Sequence, residues 1–303
     1  MLSKKTSLNN YKESGTFLNK NIIITGVSGA IGSQVTKKLL EYGANLVGFI
    51  HNESKKDPNL GQYEQNGKLK YIQLELKYGQ KINDKFKEAL LFLKGKLDIL
   101  ILCHGKYYEG NVSDTDVEQF DQNININVKA NFHLLSLSVP FLKLTKGNCV
   151  MISSVTSKIV EKGDFLHALN KSMINSLIEN SALELASFGV RVNGVALGFV
   201  ESDFRKNEFN EINDKFLDMI KNFNLLEKKN LAPEKVADAI LFLASDEAEF
   251  MTGEIITIDN GFELNHDLSF IDDREWINKI IEIILIIPNS NNNIIDLKRE
   301  KID

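Results

Sequence analysis

Residues 21–32 read NIIITGVSGAIG, and they limit the possible folds more than any other stretch of the chain. The apolar, β-branched run predicts a buried strand, and the glycines and serine after it predict a tight turn. From Ile31 the apolar residues recur at Val35 and Leu39, on one face of a helix. In such a unit the N–H groups of a helix N-terminus can meet a pyrophosphate. An ordinary strand-to-helix turn fits the same residues, so the remaining sequence has to separate the two interpretations.

Strand-like and helix-like segments alternate along the rest of the chain. Most strand segments are continuous apolar runs, which is typical of a parallel sheet with helices on both faces. The alternation predicts right-handed crossovers and a Rossmann-type, doubly wound α/β fold, with a parallel sheet of about seven strands in three α/β/α layers. The predicted strands are 22–25, 45–50, 70–76, 98–103, 149–153, 190–196 and 254–259, and the predicted helices are 31–42, 83–93, 115–144, 166–187 and 233–245.

The composition is that of a globular protein with a large core. Of its 303 residues 43% are hydrophobic and the net charge is −5, so nucleic acid is not an expected partner. No run of apolar residues is long enough for a transmembrane segment. The two cysteines, Cys103 and Cys149, lie in apolar runs and have no metal-ligand spacing. We therefore expect reduced thiols, a cytoplasmic protein and no metal site.

The same patterns predict one domain over residues 19–264, flanked by less regular segments. Residues 1–18 are rich in Ser, Asn and Lys, lack the apolar core of a signal peptide, and are interpreted as a disordered tail. In residues 199–230, phenylalanines alternate with charges, as in a helical lid, although core packing fits equally well. Residues 265–303 are predicted to be an extension with an apolar helix and a polar tail.

Residues directly after the second and third strands bear on the choice of cofactor. A site for NAD usually has a carboxylate at the end of the second strand, for the ribose 2′-hydroxyl. This chain has Ile50 and His51 there, followed by Ser54, Lys55 and Lys56. Cations and a hydroxyl favour a 2′-phosphate, so NADP is the preferred cofactor and NAD remains possible; a solvated turn with chance lysines is the alternative. After the third strand, Glu75 and Leu76 are expected beside an adenine ring.

Polar residues that follow later strands form a candidate reaction centre. Ser154 closes the fifth strand, and His167 and Lys171 are one helical turn apart, so they share a face. Asn127 lies on the long predicted helix, and Gly105 permits close approach of the backbone after the fourth strand. A hydroxyl, a titratable ring and a lysine could together polarise a carbonyl group and move a proton.

These motifs, in this order, resemble those of the short-chain dehydrogenase/reductase family, and the match runs from about residue 17 to 262. The turn 25–32 is similar to the family's TGxxxGxG, with Ala30 in place of the middle glycine, and 191–202 is similar to the segment that holds the nicotinamide, with Leu197 for the usual proline. Asn127, Ser154 and Lys171 correspond to the family's catalytic Asn, Ser and Lys. With these and the strand-end residues above, the expected cofactor-binding residues are Gly26, Ser28, Gly29, Ile31, Gly32, His51, Glu75, Leu76, Gly105, Lys171, Gly198, Val200 and Ser202.

The chain departs from the family pattern at two places. His167 stands where the family has its catalytic tyrosine, and residues 102–105 read LCHG where the family has NNAG, losing amides that brace the sheet edge. Lys171 and an oxidised nicotinamide both disfavour an imidazolium ion, so His167 is expected to act as a base in alcohol oxidation. The imidazole is also shorter than a phenol. Tyr107 or Tyr108 could enter the cleft as a substitute acid, although a pocket-wall role is the more ordinary interpretation.

Three functions fit these residues. The preferred one is an NAD(P)-dependent oxidoreductase, similar to the 3-oxoacyl-reductase branch, that acts on a small apolar or aromatic alcohol or carbonyl compound with an altered proton relay. The second is a cofactor-binding pseudoenzyme that serves as a sensor or partner subunit. The third is a lyase, dehydratase or epimerase on the same scaffold. The resemblance also implies a homodimer or homotetramer, formed through the helices that carry Asn127 and Lys171.

Overall fold

The computed structural model describes residues 15–76, 79–108, 110–160, 163–202, 223–227 and 229–265. Within them the chain forms a seven-stranded parallel sheet in the order β3-β2-β1-β4-β5-β6-β7. This confirms the Rossmann-type doubly wound fold. The strands are β1 Asn21–Thr25, β2 Asn45–Ile50, β3 Leu69–Gln73, β4 Ile99–Leu102, β5 Asn148–Ser154, β6 Arg191–Leu197 and β7 Ile255–Ile258.

Helices connect these strands and cover both faces of the sheet. The described α-helices are α1 Ala30–Glu41, α2 Gly61–Gln65, α3 Gly79–Phe92, α4 Val117–Ile124, α5 Ala130–Thr145, α6 Phe165–Leu185 and α7 Pro233–Ala244. All strands and these seven helices lie in the first of two units of the chain, Met1–Glu263.

The side chains of β1 alternate between two apolar cores. Ile22 and Ile24 pack with α1 and α7 on one face, whereas Ile23 packs with α3, α5 and α6 on the other. All three isoleucines are fully buried, and each such side chain contributes about 1.5–3 kcal/mol through the area it removes from water. A run that is apolar on both sides is therefore what this central strand requires.

The order in which successive strands are added to the sheet reverses at β1. This strand pairs with β2 on one side and with β4 on the other, so that Thr25 is in register with Phe49 and Leu102. In doubly wound sheets, ligands bind beyond the carboxyl ends of the strands at such a point. The end of β1 is thus the expected centre of the functional site.

The long helix predicted over 115–144 differs from the structure. A capping box of Asp116 and Gln119 starts α4, and a π-helical turn, Asn125–Lys129, separates α4 from α5. A π-helical turn holds one extra residue, and hydrophobic periodicity alone does not reveal it. The other predicted elements are found with shifted ends, the largest shift being the start of α3 at Gly79, four residues before the predicted 83.

Several sequence-based predictions concern residues outside the described ranges. They are most of the tail 1–18, the centre of the segment 199–230 and nearly all of the extension 265–303. In the part of the chain that is described, no helix is both long and apolar enough to cross a bilayer. Cys103 and Cys149 are free thiols. Within the described residues, no three His, Cys, Asp or Glu side chains are grouped so that they could hold a metal ion.

Candidate active site

The turn between β1 and α1 is shaped by two glycines. Gly26 has a φ of +70°, and a Cβ atom there would lie 2.8 Å from the carbonyl oxygen of Cys103. A Cβ atom on Gly32 would lie 2.2 Å from the carbonyl oxygen of Gly26. Neither position can hold a side chain without moving backbone, whereas the first residue of α1 is Ala30, which carries a Cβ atom. The turn therefore keeps its shape although one family glycine is replaced.

The N-terminus of α1 opens into the cleft. Gly29 is the N-cap residue, no side chain caps the first turn, and no acidic residue lies in that turn. The first N–H groups of a helix lack partners within the helix, and the helix dipole favours an anion beside them. Uncapped amides and glycines without side chains are the arrangement that a pyrophosphate fits.

A cleft of about 1290 Å³ runs along the carboxyl ends of the strands. This exceeds the range of about 300–1,000 Å³ typical of sites for drug-sized ligands, so the cleft has room for a larger ligand. All the predicted cofactor-binding residues line it: Gly26, Ser28, Gly29, Ile31, Gly32, His51, Glu75, Leu76, Gly105, Lys171, Gly198, Val200 and Ser202. Of the predicted catalytic residues, Ser154, His167 and Lys171 line it and Asn127 does not.

The two lysines after β2 occupy different environments. Lys55 lines the cleft with His51. Lys56 is held 3.4 Å from the carboxylate of Glu64, and its ammonium group lies 5.3 Å from the ring centroid of Tyr71. Of these two lysines, Lys55 is the one that lines the cleft.

The His104 side chain links the end of β1 to the π-helical turn. Its Nε2 lies 3.1 Å from the carbonyl oxygen of Ile126, and its Nδ1 lies 2.7 Å from Thr25 Oγ1. Because a carbonyl only accepts, Nε2 donates to it, and Nδ1 accepts from Thr25. Burial lowers the pKa of His104 to about 4, and the nearby Lys171 ammonium acts in the same direction, so the ring is neutral at pH 7. The side-chain amides of the family pattern are absent at 102–105, and His104 forms two hydrogen bonds at this edge of the sheet.

Thr25 completes this brace from the end of β1. Its Oγ1 accepts hydrogen bonds from the backbone N–H groups of Cys103, at 3.1 Å, and of His104, at 3.2 Å. The sequence patterns placed Thr25 at the end of the strand and at the start of the glycine motif, but they did not predict this brace. The signal was present, since a single hydroxyl ends an otherwise apolar run just before the glycine turn.

Asn127 lies in the π-helical turn, and its amide braces the loop after β4. Its Oδ1 accepts from the N–H of Lys106 at 2.8 Å, and its Nδ2 donates to the carbonyl oxygen of the same residue at 2.9 Å. Asn123 Oδ1 accepts from Asn127 Nδ2 at 3.1 Å and also from Asn170, which lies on α6. The amides thereby join the loop, the π-helical turn and α6.

Ser154 ends β5 on the wall of the cleft. Its hydroxyl donates to the carbonyl oxygen of Leu197 at 3.2 Å and accepts from Thr156 Oγ1 at 3.0 Å. Ser154 is 8% exposed. A substrate oxygen that bonds to this hydroxyl would therefore replace its contact with Leu197.

Lys171 places a charge in a poorly solvated part of the cleft. Its Nζ donates to the carbonyl oxygen of Ile152 at 2.8 Å, and no carboxylate pairs with it among the described residues. Burial lowers the pKa of Lys171 to about 8, and a negative charge on the neighbouring Cys103 sulfur would oppose this shift. Burial also raises the pKa of that thiol to about 12, so Cys103 is protonated at pH 7.

His167 lies one turn before Lys171, near the start of α6, and is 7% exposed. Its ring centroid is 5.4 Å from that of Tyr107, with the planes inclined at 59°. The Tyr107 hydroxyl donates to Asp164 Oδ1. Tyr107 does not line the cleft, which places it behind the wall rather than at a substrate.

The arrangement combines an anion site, a long cleft and three polar groups at its far end. The residues present fit a dinucleotide: the glycine turn for the pyrophosphate, Lys55 near one end, and Ser154, His167 and Lys171 near the other. A hydroxyl, an imidazole and an ammonium group placed together can bind a substrate oxygen and transfer a proton.

Comparison with known proteins agrees with this geometry. Residues 26–263 match the model of a family described as enoyl-(acyl carrier protein) reductase. The chain is 31% identical over 265 residues to the oxidoreductase UcpA of Salmonella typhimurium, which covers 84% of this chain and 98% of that protein. It is 26% identical over 247 residues to the 3-oxoacyl-[acyl-carrier-protein] reductase FabG of Staphylococcus epidermidis, covering 80% and 99%.

The fold also matches solved structures. A variant of a short-chain dehydrogenase/reductase from Serratia marcescens superposes with a TM-score of 0.74 at 21% identity, covering 82% of this chain and 99% of that chain. At this identity the likeness concerns the fold alone.

Proposed function

Because the chain belongs to the short-chain dehydrogenase/reductase family of oxidoreductases, we propose that it transfers hydride between a nicotinamide cofactor and a small alcohol or carbonyl compound. NADP(H) is the proposed cofactor, with NAD(H) as the weaker ligand. Gly26 and Gly32 shape the pyrophosphate site, and Lys55 is the cation for the 2′-phosphate. The nicotinamide supplies or accepts the hydride, and the protein supplies position and the proton.

One observation carries this proposal. A single cleft joins the uncapped N-terminus of α1 to the side chains of Ser154, His167 and Lys171. A cofactor pyrophosphate at one end and a reacting oxygen at the other are what hydride transfer requires. No such alignment is needed for a protein that only senses a nucleotide.

At the reacting end each side chain has its own task. The Ser154 hydroxyl binds the substrate oxygen, and Lys171 binds polar groups of the cofactor with its ammonium group. His167 takes the proton from an alcohol during oxidation. A positioned base of this kind contributes on the order of 10²–10⁴ in rate. Asn127 acts from behind the wall, by holding the backbone at Lys106 in place.

The cofactor is tested with two adjacent lysines. NADPH and NADH are titrated by fluorescence into the wild type, Lys55→Glu and Lys56→Glu. We expect Lys55→Glu to weaken NADPH binding roughly tenfold or more and to leave NADH binding nearly unchanged, because the new carboxylate repels a 2′-phosphate. Lys56→Glu carries the same charge change at a residue already paired with Glu64. Equal losses in both variants would contradict a specific contact at Lys55.

Turnover is tested on a panel of apolar and aromatic secondary alcohols and ketones. We expect oxidation of at least one alcohol with NADP, with a rate that falls when His167 is replaced by Ala. Tight NADPH binding without turnover would instead support the pseudoenzyme, and loss of substrate without a change in cofactor absorbance would support a lyase or epimerase. Absence of binding by either cofactor would overturn the proposal.

A further inference from the structure

Three buried side chains lie together behind the substrate end of the cleft. Tyr107 and Asp164 are each 3% exposed, and His167 is 7% exposed. The Tyr107 hydroxyl donates to Asp164 Oδ1, and the Tyr107 ring packs against the imidazole at 5.4 Å between centroids. A phenol and a carboxylate are rarely buried without a partner, and here each is the partner of the other.

Backbone pairing holds Tyr107 and Asp164 in place from two separate segments. The N–H of Gly110 donates to the carbonyl oxygen of Gly163 at 3.0 Å, and Gly110 pairs with Asp164 in an isolated parallel bridge. The N–H of Gly163 donates to Asn111 Oδ1 at 3.2 Å. The loop after β4 is thereby tied to the segment before α6, independently of the glycine turn that would hold a cofactor.

The Asp164 side chain does not cap the helix that begins after it. It is the N-cap residue of α6, where an aspartate normally accepts hydrogen bonds from the N–H groups of the first turn. No side-chain cap is formed, and the carboxylate accepts from Tyr107 instead. Forgoing a cap costs about 1 kcal/mol. An aspartate before a predicted helix therefore does not reveal, from sequence alone, the contact between Asp164 and Tyr107.

We propose that Tyr107 and Asp164 are positioning residues for His167. This inference rests on the proposed function, in which His167 exchanges a proton with the substrate. An imidazole is shorter than the family's phenol, so its nitrogen reaches a substrate oxygen only in a narrow range of side-chain orientations. The Tyr107 ring packs against one side of the His167 imidazole and limits its rotation. The hydrogen bond to Asp164 in turn holds the Tyr107 ring in its orientation.

The first test observes His167 directly and needs no turnover. The chain contains five histidines, so ring resonances of protein labelled with ¹⁵N-histidine are assigned to His167 by their loss in His167→Gln. We expect Tyr107→Leu to shift the His167 ring resonances by removing the neighbouring aromatic ring. Tyr107→Phe, which keeps the ring but not the contact with Asp164, should shift them more than Tyr108→Phe does. Unchanged His167 resonances in Tyr107→Phe would overturn the proposal, even if Tyr107→Leu does not fold.

The second test separates positioning from general stability. Tyr107→Phe should lower kcat roughly tenfold and leave the KM for cofactor unchanged, because only proton transfer is misaligned. In a His167→Ala background the same substitution should have no further effect. Asp164→Asn keeps an acceptor oxygen and should retain most of the activity that Asp164→Ala loses. An equal loss from Tyr107→Phe in both backgrounds would identify a merely structural role.

The two tests distinguish the failure of each proposal. If the wild type binds NADPH without turnover on any substrate, the proposed function fails, while the resonance shifts still report on the contact between Tyr107 and His167. If the wild type is active, and Tyr107→Phe changes neither the His167 resonances nor kcat, the positioning role fails and the proposed function stands.

Discussion

An imidazole at position 167 changes what the site can do with a proton. A phenol stays protonated at neutral pH and is deprotonated only with help, whereas a neutral imidazole accepts a proton readily. The Lys171 ammonium, one turn away on the same helix, disfavours a second positive charge. We therefore expect the pair His167 and Lys171 to favour removal of a proton from an alcohol over its delivery to a ketone.

The substitution His167→Tyr tests this bias. We expect ketone reduction to rise roughly 10–100-fold, because a phenol beside Lys171 can give up a proton to the substrate oxygen. His133→Tyr is the matched control, since His133 binds Asn83 on α3 and does not line the cleft. Initial rates with NADPH and a panel of ketones measure the effect. An unchanged rate, with NADPH affinity preserved, would show that proton transfer at position 167 does not limit reduction.

The buried charge of Lys171 predicts a pH dependence of stability. Its folded-state pKa is about 8 and its unfolded value is near 10.4, so above pH 8 the folded state loses this proton first. The unfolded state then binds more protons, and the free energy of unfolding rises with pH between those values. Because Lys171 is partly exposed, we expect a gain of about 1–3 kcal/mol relative to Lys171→Met between pH 7.5 and 10.

Urea unfolding across this pH range measures that gain. Lys37→Met is the control, because it removes one lysine charge from an exposed site on α1. Wild-type and Lys171→Met curves that run parallel would contradict a lowered pKa at Lys171.

At the scale of single elements, the geometry of the β1–α1 turn predicts that its glycines differ in how well they tolerate substitution by alanine. A Cβ at Gly32 would overlap the Gly26 carbonyl oxygen at 2.2 Å, whereas a Cβ at Gly29 would lie 3.3 Å from that atom. We expect Gly32→Ala to destabilise the fold by about 1–3 kcal/mol and to weaken NADPH binding strongly, and Gly29→Ala to do less of both. Gly61→Ala meets no atom within 4 Å and serves as the control. Thermal unfolding and NADPH titration measure these effects. A larger loss of stability or of NADPH affinity in Gly29→Ala than in Gly32→Ala would contradict the prediction.

Elements were more predictable from sequence than the contacts inside the site. Apolar runs and their spacing sufficed for all seven strands, because a strand buried on both faces leaves a continuous signal. The brace formed by Thr25 and His104, and the contact of Tyr107 with Asp164, join residues 57 or more positions apart. No periodicity carries such information. Asp164 is at the N-cap position of α6, and nothing in the sequence indicates that its side chain contacts Tyr107.

At the scale of the whole molecule, the sheet order brings distant parts of the chain to one cleft. The end of β1 and the residues after β6 line the same cleft, although Gly26 and Gly198 are far apart in sequence. Alternating strands and helices predicted this topology, and the family motifs predicted which strand ends would matter. What they do not specify is the substrate.

Self-association stays a prediction, and exposed apolar residues on α6 make it testable. Leu183 on α6 and Leu91 on α3 are both 80% exposed. If the chain pairs through the helices that carry Asn127 and Lys171, Leu183→Glu should weaken the oligomer and Leu91→Glu should not. Light scattering after size exclusion measures the mass. A wild type with the mass of one chain would contradict a homodimer or homotetramer.

The π-helical turn Asn125–Lys129 explains how this chain carries one more residue here than a regular helix would. In a regular α-helix, each added residue rotates everything beyond it by about 100°. The wider turn takes up the extra residue locally, so Leu134 and Leu142 of α5 still face the core they fill. Removing one of these five residues should therefore leave a regular helix with the buried face of α5 unchanged, at the expense of the contacts that Asn127 makes with Lys106.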